Sequence, residues 1–172
     1  VPHAAGRVNI AVLHGQIGTV GGEDAVNLNL LKNKGIDYLA LGHIHSYTLE
    51  RLDDRGVYCY CGCLEGRGFD ECGDKGFVLL DIEDGKVTPA FVPFASRRLH
   101  RVPVDITGLT KSAQIAQAMK QAAQTISAGD MVEFLLTGSC EPEADLSLIY
   151  LRELMKSSFY FVKVKDETTC SL

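Results

Sequence analysis

Two short apolar segments, spaced like the strands of a βαβ unit, constrain the fold of this chain more than any other feature. "VNIAVL" (8–13) and "IDYLAL" (36–41) each predict a short buried strand. Between them, "GQIGTVGGED" predicts a loop, and "AVNLNLLKNK" predicts a helix that begins at Glu23 or Asp24 and ends near Gly35. Strand, helix and strand within about 34 residues match the size of a βαβ unit, so we expect the two strands to be parallel.

Histidines follow both of these predicted strands. His14 comes directly after the first strand, and His43 and His45 come after the second in the sequence Gly-His-Ile-His. The carboxyl ends of parallel strands lie on one edge of a sheet, where open α/β folds bind ligands. If the chain stays extended, His43 and His45 point the same way about 6.6 Å apart. Two metal ions about 3.5–4 Å apart fit between such side chains.

A metal site built from His14, His43 and His45 is therefore predicted at this edge of the sheet. Each of these histidines taken alone is more often solvent-facing or hydrogen-bonded to a neighbour, so the prediction depends on their convergence. Imidazole binds several transition metals, so the residues do not choose among them. His3 and His100 have no such arrangement, and we interpret them as surface residues.

Three cysteines alternate in "VYCYCGC" (57–63), directly after a predicted turn at residues 54–56. The alternation predicts that Cys59, Cys61 and Cys63 share one face of a strand, where they lie too far apart for one tetrahedral metal site. The chain also has no C-x-x-C pair. We therefore interpret these cysteines as small buried residues of a protein in a reducing compartment.

The pattern changes near Arg98, where strand-like and helix-forming segments begin to alternate. "LHRVPVDI", "MVEFLLTG" and "FYFVKVKD" predict strands, and "KSAQIAQAMKQAAQTIS" and "ADLSLIYLRELMKSS" predict helices. Before this change, "FVLLDIEDGKVTPAFVPF" predicts a hairpin that turns at Asp84 and Gly85. We therefore predict an α/β (α+β) fold, with one domain over residues 1–97 and a small αβ domain over residues 98–172.

The charge balance of the 172 residues limits the range of functions. A formal net charge of −5 argues against a protein whose whole surface binds nucleic acid, although "SRRLHR" (96–101) forms a dense basic cluster. No apolar run approaches the length of about 20 residues that crosses a bilayer. These features predict a cytoplasmic protein with no membrane partner. Because "VPHAAGRVNI" enters a strand almost at once, we expect the chain to be a fragment of a larger protein.

The histidine motifs resemble those of a known enzyme family. "VLHG" and "DYLALGHIH" are similar to the last two metal-binding motifs of the calcineurin-like metallophosphoesterases. "YCYCGCLEGRGFDECGDKGFVLLDI" resembles the segment that follows in bacterial DNA repair exonucleases of the SbcD type, including the YhaO-like group. A pattern Glu-x-Gly-x-Lys-Gly of these relatives is matched, whereas Cys61 stands where the family tends to have proline. The matching residues are Glu71, Gly73, Lys75 and Gly76.

The resemblance implies a fold and an activity. The fold would be the C-terminal part of a metallophosphoesterase β-sandwich flanked by helices, followed by a small αβ capping domain. The activity would be phosphodiester hydrolysis in DNA by two divalent transition metals, usually manganese in this branch. By motif, His14 and His43 would bind one metal and His45 the other. A coiled-coil ATPase of the SbcC type is the partner that the family often has.

The family also has acidic motifs in its N-terminal half that are not found here ahead of Gly42, namely D-x-H, G-D and G-N-H-[DE]. Two divalent ions about 3.5 Å apart repel by roughly 19 kcal/mol at an effective dielectric near 20, and neutral imidazoles do not offset this. We therefore expect no catalytic residue in this chain, at most weak binding of a single metal, and no activity of the chain alone. A missing half would leave apolar surface open, so we also expect a homo-oligomer or a domain swap.

Basic residues near the predicted loop and the domain boundary are the candidates for DNA contact, because phosphate contacts supply most of the affinity for DNA. Each of them alone is more often a solvated surface charge. Two other functions stay open: a non-catalytic module that binds DNA or a partner, and a phosphoesterase that acts on a substrate other than DNA. The candidate DNA-binding residues are Arg67, Lys75, Arg97, Arg98 and Arg101.

Overall fold

The computed structural model describes residues 6–18, 22 and 24–170, and the chain divides into two compact units. The first unit comprises the chain up to Glu65 together with Asp74–Ser96. The second comprises Gly66–Gly73 and the chain from Arg97 onward. The loop 66–73, which the predicted domain over residues 1–97 included, thus packs with the second unit. The mixed α/β fold class is confirmed.

The first unit is built mainly from short strands with one short helix. A four-stranded sheet has the order β1-β4-β6-β5, β7 and β8 form a separate hairpin, and β2 pairs with β3. The elements are β1 (Ile10–His14), β2 (Gln16–Ile17), β3 (Ala25–Val26), α1 (Leu28–Leu31), β4 (Tyr38–Gly42), β5 (Thr48–Arg51), β6 (Val57–Tyr60), β7 (Gly76–Glu83) and β8 (Lys86–Pro93).

The parallel pairing of β1 and β4 confirms the arrangement predicted for the two apolar segments. Their register sets Ile10 opposite Tyr38 and His14 opposite Gly42. Leu39 and Leu41 of β4 are buried in the core of this unit. Burial of each such leucine stabilises the fold by about 1.5–3 kcal/mol. The sheet therefore brings the carboxyl ends of β1 and β4 together on one edge.

The long helix predicted between these strands is wrong. Helix α1 covers only Leu28–Leu31, and the side chain of Asn27 caps it by accepting a hydrogen bond from Asn29 N. The preceding Ala25–Val26 is extended and pairs with β2, so strand pairing overrides the local helix propensity. Glu23, one of the two predicted start residues, lies outside the described residues.

The cysteine strand is shorter than predicted. Strand β6 ends at Tyr60, and Gly62 has a φ of 77°, which turns the chain. As a result Cys59 is buried in the strand, whereas Cys61 is exposed and Cys63 is half-buried. The prediction that all three share one strand face is therefore wrong.

Both predicted hairpins of the first unit are confirmed. Strands β5 and β6 are antiparallel. Strands β7 and β8 are joined at Asp84 and Gly85, whose φ values are 51° and 76°. Positive φ at both central residues is typical of the type I′ turn, which favours this pair of residues.

The second unit contains the predicted alternation of strands and helices. Its three-stranded sheet has the order β12-β10-β9, and all strands in it are parallel. The elements are β9 (Leu99–Asp105), α2 (Ser112–Ala122), β10 (Met131–Thr137), β11 (Ser139–Cys140), α3 (Leu148–Met155), β12 (Phe161–Asp166) and β13 (Thr169–Cys170).

The core of the second unit lies between this sheet and its two helices. Ile115 and Met119 of α2 are fully buried, as are Phe134 of β10 and Leu151 of α3. Ala122, the last residue of α2, is exposed, whereas the following Ala123 is buried. Within the described residues no helix has the length and apolarity that crossing a membrane requires.

Candidate metal centre

The edge where β1 and β4 end brings two of the three predicted histidines together. His14 is the last residue of β1 and lies in register with Gly42. A Cβ atom at Gly42 would lie 2.8 Å from Nδ1 of His14, which is closer than real Cβ contacts come. Glycine at position 42 therefore makes room for the imidazole of His14.

His43 reaches this edge through an unusual backbone conformation. Strand β4 ends at Gly42, and His43 has a φ of 95°, so the expectation of an extended segment from His43 to His45 is wrong. The reversal at His43 sets its ring edge-on against His14, with ring centroids 5.4 Å apart. Both side chains are exposed. The two imidazoles form an accessible pair, which we call the histidine pair.

The distance between the two ring centroids of the histidine pair is compatible with one shared metal ion. Two imidazoles that bind a tetrahedral ion through nitrogens at about 2.0–2.1 Å have ring centroids about 5 Å apart. The observed 5.4 Å is close to this value. His14 and His43 could therefore hold one transition-metal ion, whose remaining positions would stay open to water or to substrate oxygens.

An acidic residue that the sequence interpretation missed lies beside the histidine pair. Asp24 lines a cleft of about 420 Å³ together with His43, and also a neighbouring cleft of about 280 Å³ together with His14. The backbone carbonyl of Asp24 accepts a hydrogen bond of 2.8 Å from Gln16 N, which fixes this residue next to the start of β2. Asp24 was not selected as a candidate because this segment was predicted to be helical. An acidic residue in the loop after a strand that ends in histidine is the signal that could have identified it.

His45 has different surroundings from the histidine pair. Its backbone carbonyl accepts a hydrogen bond of 2.8 Å from Lys75 Nζ and a longer one of 3.6 Å from Cys63 Sγ. The Cys63 sulfur also lies within 4.8 Å of a ring nitrogen of His45. Among the residues that the structure describes, no set of three or more close ligand atoms joins His45 to His14 or His43. Its role as a metal ligand stays a prediction.

The burial of Lys75 points to a structural role. Only 3% of this residue is exposed, and its ammonium group is directed at the His45 carbonyl. A buried ammonium is costly unless hydrogen bonds satisfy it. This position argues against direct contact between Lys75 and a DNA phosphate.

The four arginines predicted to contact DNA all belong to the second unit. Arg67 lies 3.7 Å from Glu71, and its side chain is largely exposed. Arg97 lies over the ring of Tyr160, with its guanidinium carbon 3.7 Å from the ring centroid. Arg98 is exposed.

Arg101 belongs to a charge cluster on β9, β10 and β12. Its Nε donates a hydrogen bond of 2.7 Å to the fully buried Glu133, which also lies 3.0 Å from Lys163 Nζ and 3.6 Å from Lys165 Nζ. Burial raises the pKa of Glu133, but Lys163, Arg101 and Lys165 outweigh this and hold the pKa below its ordinary value. The same hydrogen bond to Glu133 raises the pKa of Arg101. Glu133 is thus an ionised carboxylate surrounded by cations.

His100, interpreted as a surface residue, is half-buried. Its Nε2 lies 2.9 Å from a carboxylate oxygen of Asp130. Burial raises the pKa of Asp130, but the backbone N–H of Arg98 and the ring of His100 lower it below its ordinary value. His3 lies outside the described residues.

Comparison with known proteins supports a relationship to one superfamily. No protein-family model matches the chain. The chain is 31% identical over 103 residues to the uncharacterized metallophosphoesterase YhaO of Bacillus subtilis (strain 168). The matched residues cover 58% of this chain and 25% of that protein, so the chain spans about a quarter of the length of its curated relative. This similarity supports a relationship to the metallophosphoesterase superfamily, the one that the histidine motifs resemble.

Proposed function

We propose that this chain supplies the imidazole-bearing part of a metal-dependent phosphodiesterase, a DNA repair exonuclease of the SbcD type. The observation that carries the proposal is the histidine pair at the carboxyl ends of two parallel strands. Its support from outside the structure is the similarity to a bacterial metallophosphoesterase. Manganese is the metal that we expect, and the second ion of a binuclear site would need carboxylates besides these imidazoles.

The residues of this chain have separate tasks in such a reaction. His14 and His43 would hold one ion, and Lys75 would position the segment that carries His45. Ions bound there would supply an acidified water molecule for attack on phosphorus and would neutralise charge on the phosphoryl oxygens. The exposed histidine pair and the clefts beside it leave room for a phosphodiester to approach.

DNA is the proposed substrate because the second unit carries the cationic side chains that could follow a phosphate backbone. Of the arginines predicted to contact DNA, Arg67, Arg98 and Arg101 are exposed. A coiled-coil ATPase of the SbcC type and a cytoplasmic location complete the proposal, both from the family resemblance.

The proposal can be tested with a fusion protein. The section of the Bacillus subtilis protein that precedes the matched segment is joined ahead of this chain, and hydrolysis of bis(p-nitrophenyl) phosphate, p-nitrophenyl phosphate and labelled DNA is measured with manganese. We expect hydrolysis of the diester and of DNA, abolished by His14→Ala or His43→Ala and retained by His100→Ala. The isolated chain should bind manganese and hydrolyse none of the three.

Two results would overturn the proposal. If the intact Bacillus subtilis protein hydrolyses the diester and the fusion does not, this chain is a binding module rather than part of the active site. If the fusion cleaves only the monoester, the substrate is not DNA. Turnover by the isolated chain, abolished by His43→Ala, would contradict the expected inactivity of the chain alone.

A further inference from the structure

Two consecutive aromatic residues at the start of β12 are exposed. Tyr160 is 62% exposed and Phe161 is 49% exposed. Phe69, from the loop that packs with this unit, stacks on Phe161 with ring centroids 6.2 Å apart and an angle of 30° between the rings. Neighbouring exposed aromatic rings commonly mark a binding surface.

Cations lie over two of these rings. The guanidinium of Arg97 lies 3.7 Å from the centroid of the Tyr160 ring, and Lys163 Nζ lies 6.0 Å from the centroid of the Phe69 ring. Such contacts orient the ring and bring positive charge next to it. Within the described part of the chain, the buried Nε of Arg97 has no hydrogen-bond partner. The guanidinium of Arg97 is therefore positioned by its contact with the ring of Tyr160.

A small cleft continues this surface towards the end of α3. Its volume is about 190 Å³, and its lining includes Tyr160, Phe161, Arg152 and Lys156. Glu153 also lines the cleft and lies 3.2 Å from Arg152 and 3.4 Å from Lys156. Two cations therefore share one carboxylate, which leaves the cleft positive.

The second unit has opposite charges at the two ends of its parallel strands. Two arginines, Arg97 and Arg98, lie at the amino end with Tyr160 and outnumber the carboxylate of Asp130, which accepts a hydrogen bond of 3.0 Å from Arg98 N. At the carboxyl end, β9 finishes with Asp105 and β12 finishes with Asp166. A polyanion is therefore attracted to the end that carries the aromatic rings.

We propose that the amino end of this sheet binds unpaired bases of single-stranded DNA. Bases would stack on Tyr160 and Phe161, and phosphates would contact Arg97, Arg152 and Lys156. Aromatic rings beside a positive groove are the usual means of holding single strands without reading their sequence. In a duplex the bases are already stacked on one another, so the rings would gain little from it. The inference rests on the proposed function in that it specifies the form of DNA held, but the binding itself needs no metal.

The inference can be tested by fluorescence anisotropy of labelled oligothymidylate, with a duplex of equal length for comparison and a chelator present throughout. We expect tighter binding of the single strand and a linear fall of log affinity with log salt concentration. Tyr160→Ala should weaken single-strand binding by about tenfold or more. Tyr160→Phe should retain most of the affinity because it keeps the stacking ring.

Tyr150 offers a matched control, because it is an exposed tyrosine of the same unit and does not line the cleft. Tyr150→Ala should leave single-strand binding unchanged. Arg97→Lys keeps the charge but loses the planar stack and should weaken binding less than Arg97→Ala. Because the chelator removes metal, a failure of the histidine pair to bind manganese cannot produce or mask any of these results.

Three results would overturn the inference. Equal affinities of the Tyr160→Ala and Tyr150→Ala variants would show that the ring of Tyr160 does not stack on bases. A duplex bound as tightly as the single strand would show that the surface contacts only phosphates. A dimer that Tyr160→Ala dissociates would show that the surface binds a second copy of the chain instead.

Discussion

At the scale of single residues, His43 combines a side chain that we propose binds metal with a backbone conformation that favours glycine. Its φ of 95° is uncommon for any residue with a Cβ atom. Such conformations cost of order 1–3 kcal/mol each and are concentrated at functional sites. The sequence could predict a histidine after β4, but not this reversal, because the pattern before it is that of a continuing strand.

The conformation of His43 leads to a test with two substitutions that both remove the imidazole. His43→Gly should be more stable than His43→Ala by about 1 kcal/mol, since glycine adopts positive φ without strain. Urea unfolding of the two variants measures the difference. An alanine variant as stable as the glycine variant would show that this conformation is not strained.

At the scale of elements, one contact in the first unit joins the segment after β4 to the segment before β7. Lys75 donates to the His45 carbonyl, and Lys75 and Gly76 belong to the Glu-x-Gly-x-Lys-Gly pattern recognised in the sequence. The sequence pattern could be recognised, but the sequence did not reveal that its lysine forms this hydrogen bond. The predicted role of Lys75 in DNA contact assumed an exposed side chain, and burial depends on tertiary packing that spacing does not reveal.

Removal of this contact should destabilise the first unit. Lys75→Ala should lower the free energy of unfolding by about 2 kcal/mol, because it leaves a cavity and leaves the His45 carbonyl with only a weaker donor. The stability of Lys75→Met should lie between those of Lys75→Ala and the wild type, since methionine restores the packing but not the hydrogen bond. Lys86→Ala, at an exposed position of β8, should change the free energy of unfolding by less than about 0.5 kcal/mol. Similar losses for Lys75→Ala and Lys86→Ala would contradict the structural role.

The sheet of the second unit should lose stability in acid through Glu133. Its pKa in the folded chain lies below the ordinary value of 4.5, so its contribution is complete above that value and is lost as the pH falls through the lowered pKa. Glu133→Gln should cost about 2 kcal/mol at neutral pH and weaken this dependence on pH. Glu143→Gln, at an exposed position, is the control. The free energy of unfolding of both variants is measured at neutral and acid pH. An equal dependence on pH in the two variants would contradict this role of Glu133.

At the scale of the whole molecule, the features that depend on local sequence patterns could be predicted, whereas those that depend on contacts between distant residues could not. The parallel pair β1 and β4 and the alternation of the second unit follow from apolar periodicity, which is visible in any window of the sequence. Helix α1 and the end of β6 could not be predicted, because pairing with β2 and the turn at Gly62 decide them. At the candidate site, the sequence predicted that histidines lie at the edge where β1 and β4 end. It did not predict that His14 and His43 form a pair from which His45 is separate.

The first unit also has an exposed apolar strand, which supports the proposal of self-association. Strand β1 is an edge strand of the four-stranded sheet that the described residues form. Its residues Val12 and Ile10 are 76% and 45% exposed. An open strand edge with apolar side chains is a template for pairing with another copy. Sedimentation velocity over a concentration series should show association that Val12→Lys reduces. A monomer at every concentration would contradict this prediction.

The central claim is that His14 and His43 bind one metal ion together, and manganese titration followed by electron paramagnetic resonance tests it most directly. We expect one ion per chain, with affinity reduced about tenfold or more by either His14→Ala or His43→Ala and unchanged by His100→Ala. Gly42→Ala should also weaken binding, because its Cβ would displace the His14 ring. Manganese binding that is unaffected by either histidine substitution, or no binding by the wild-type chain, would contradict the account.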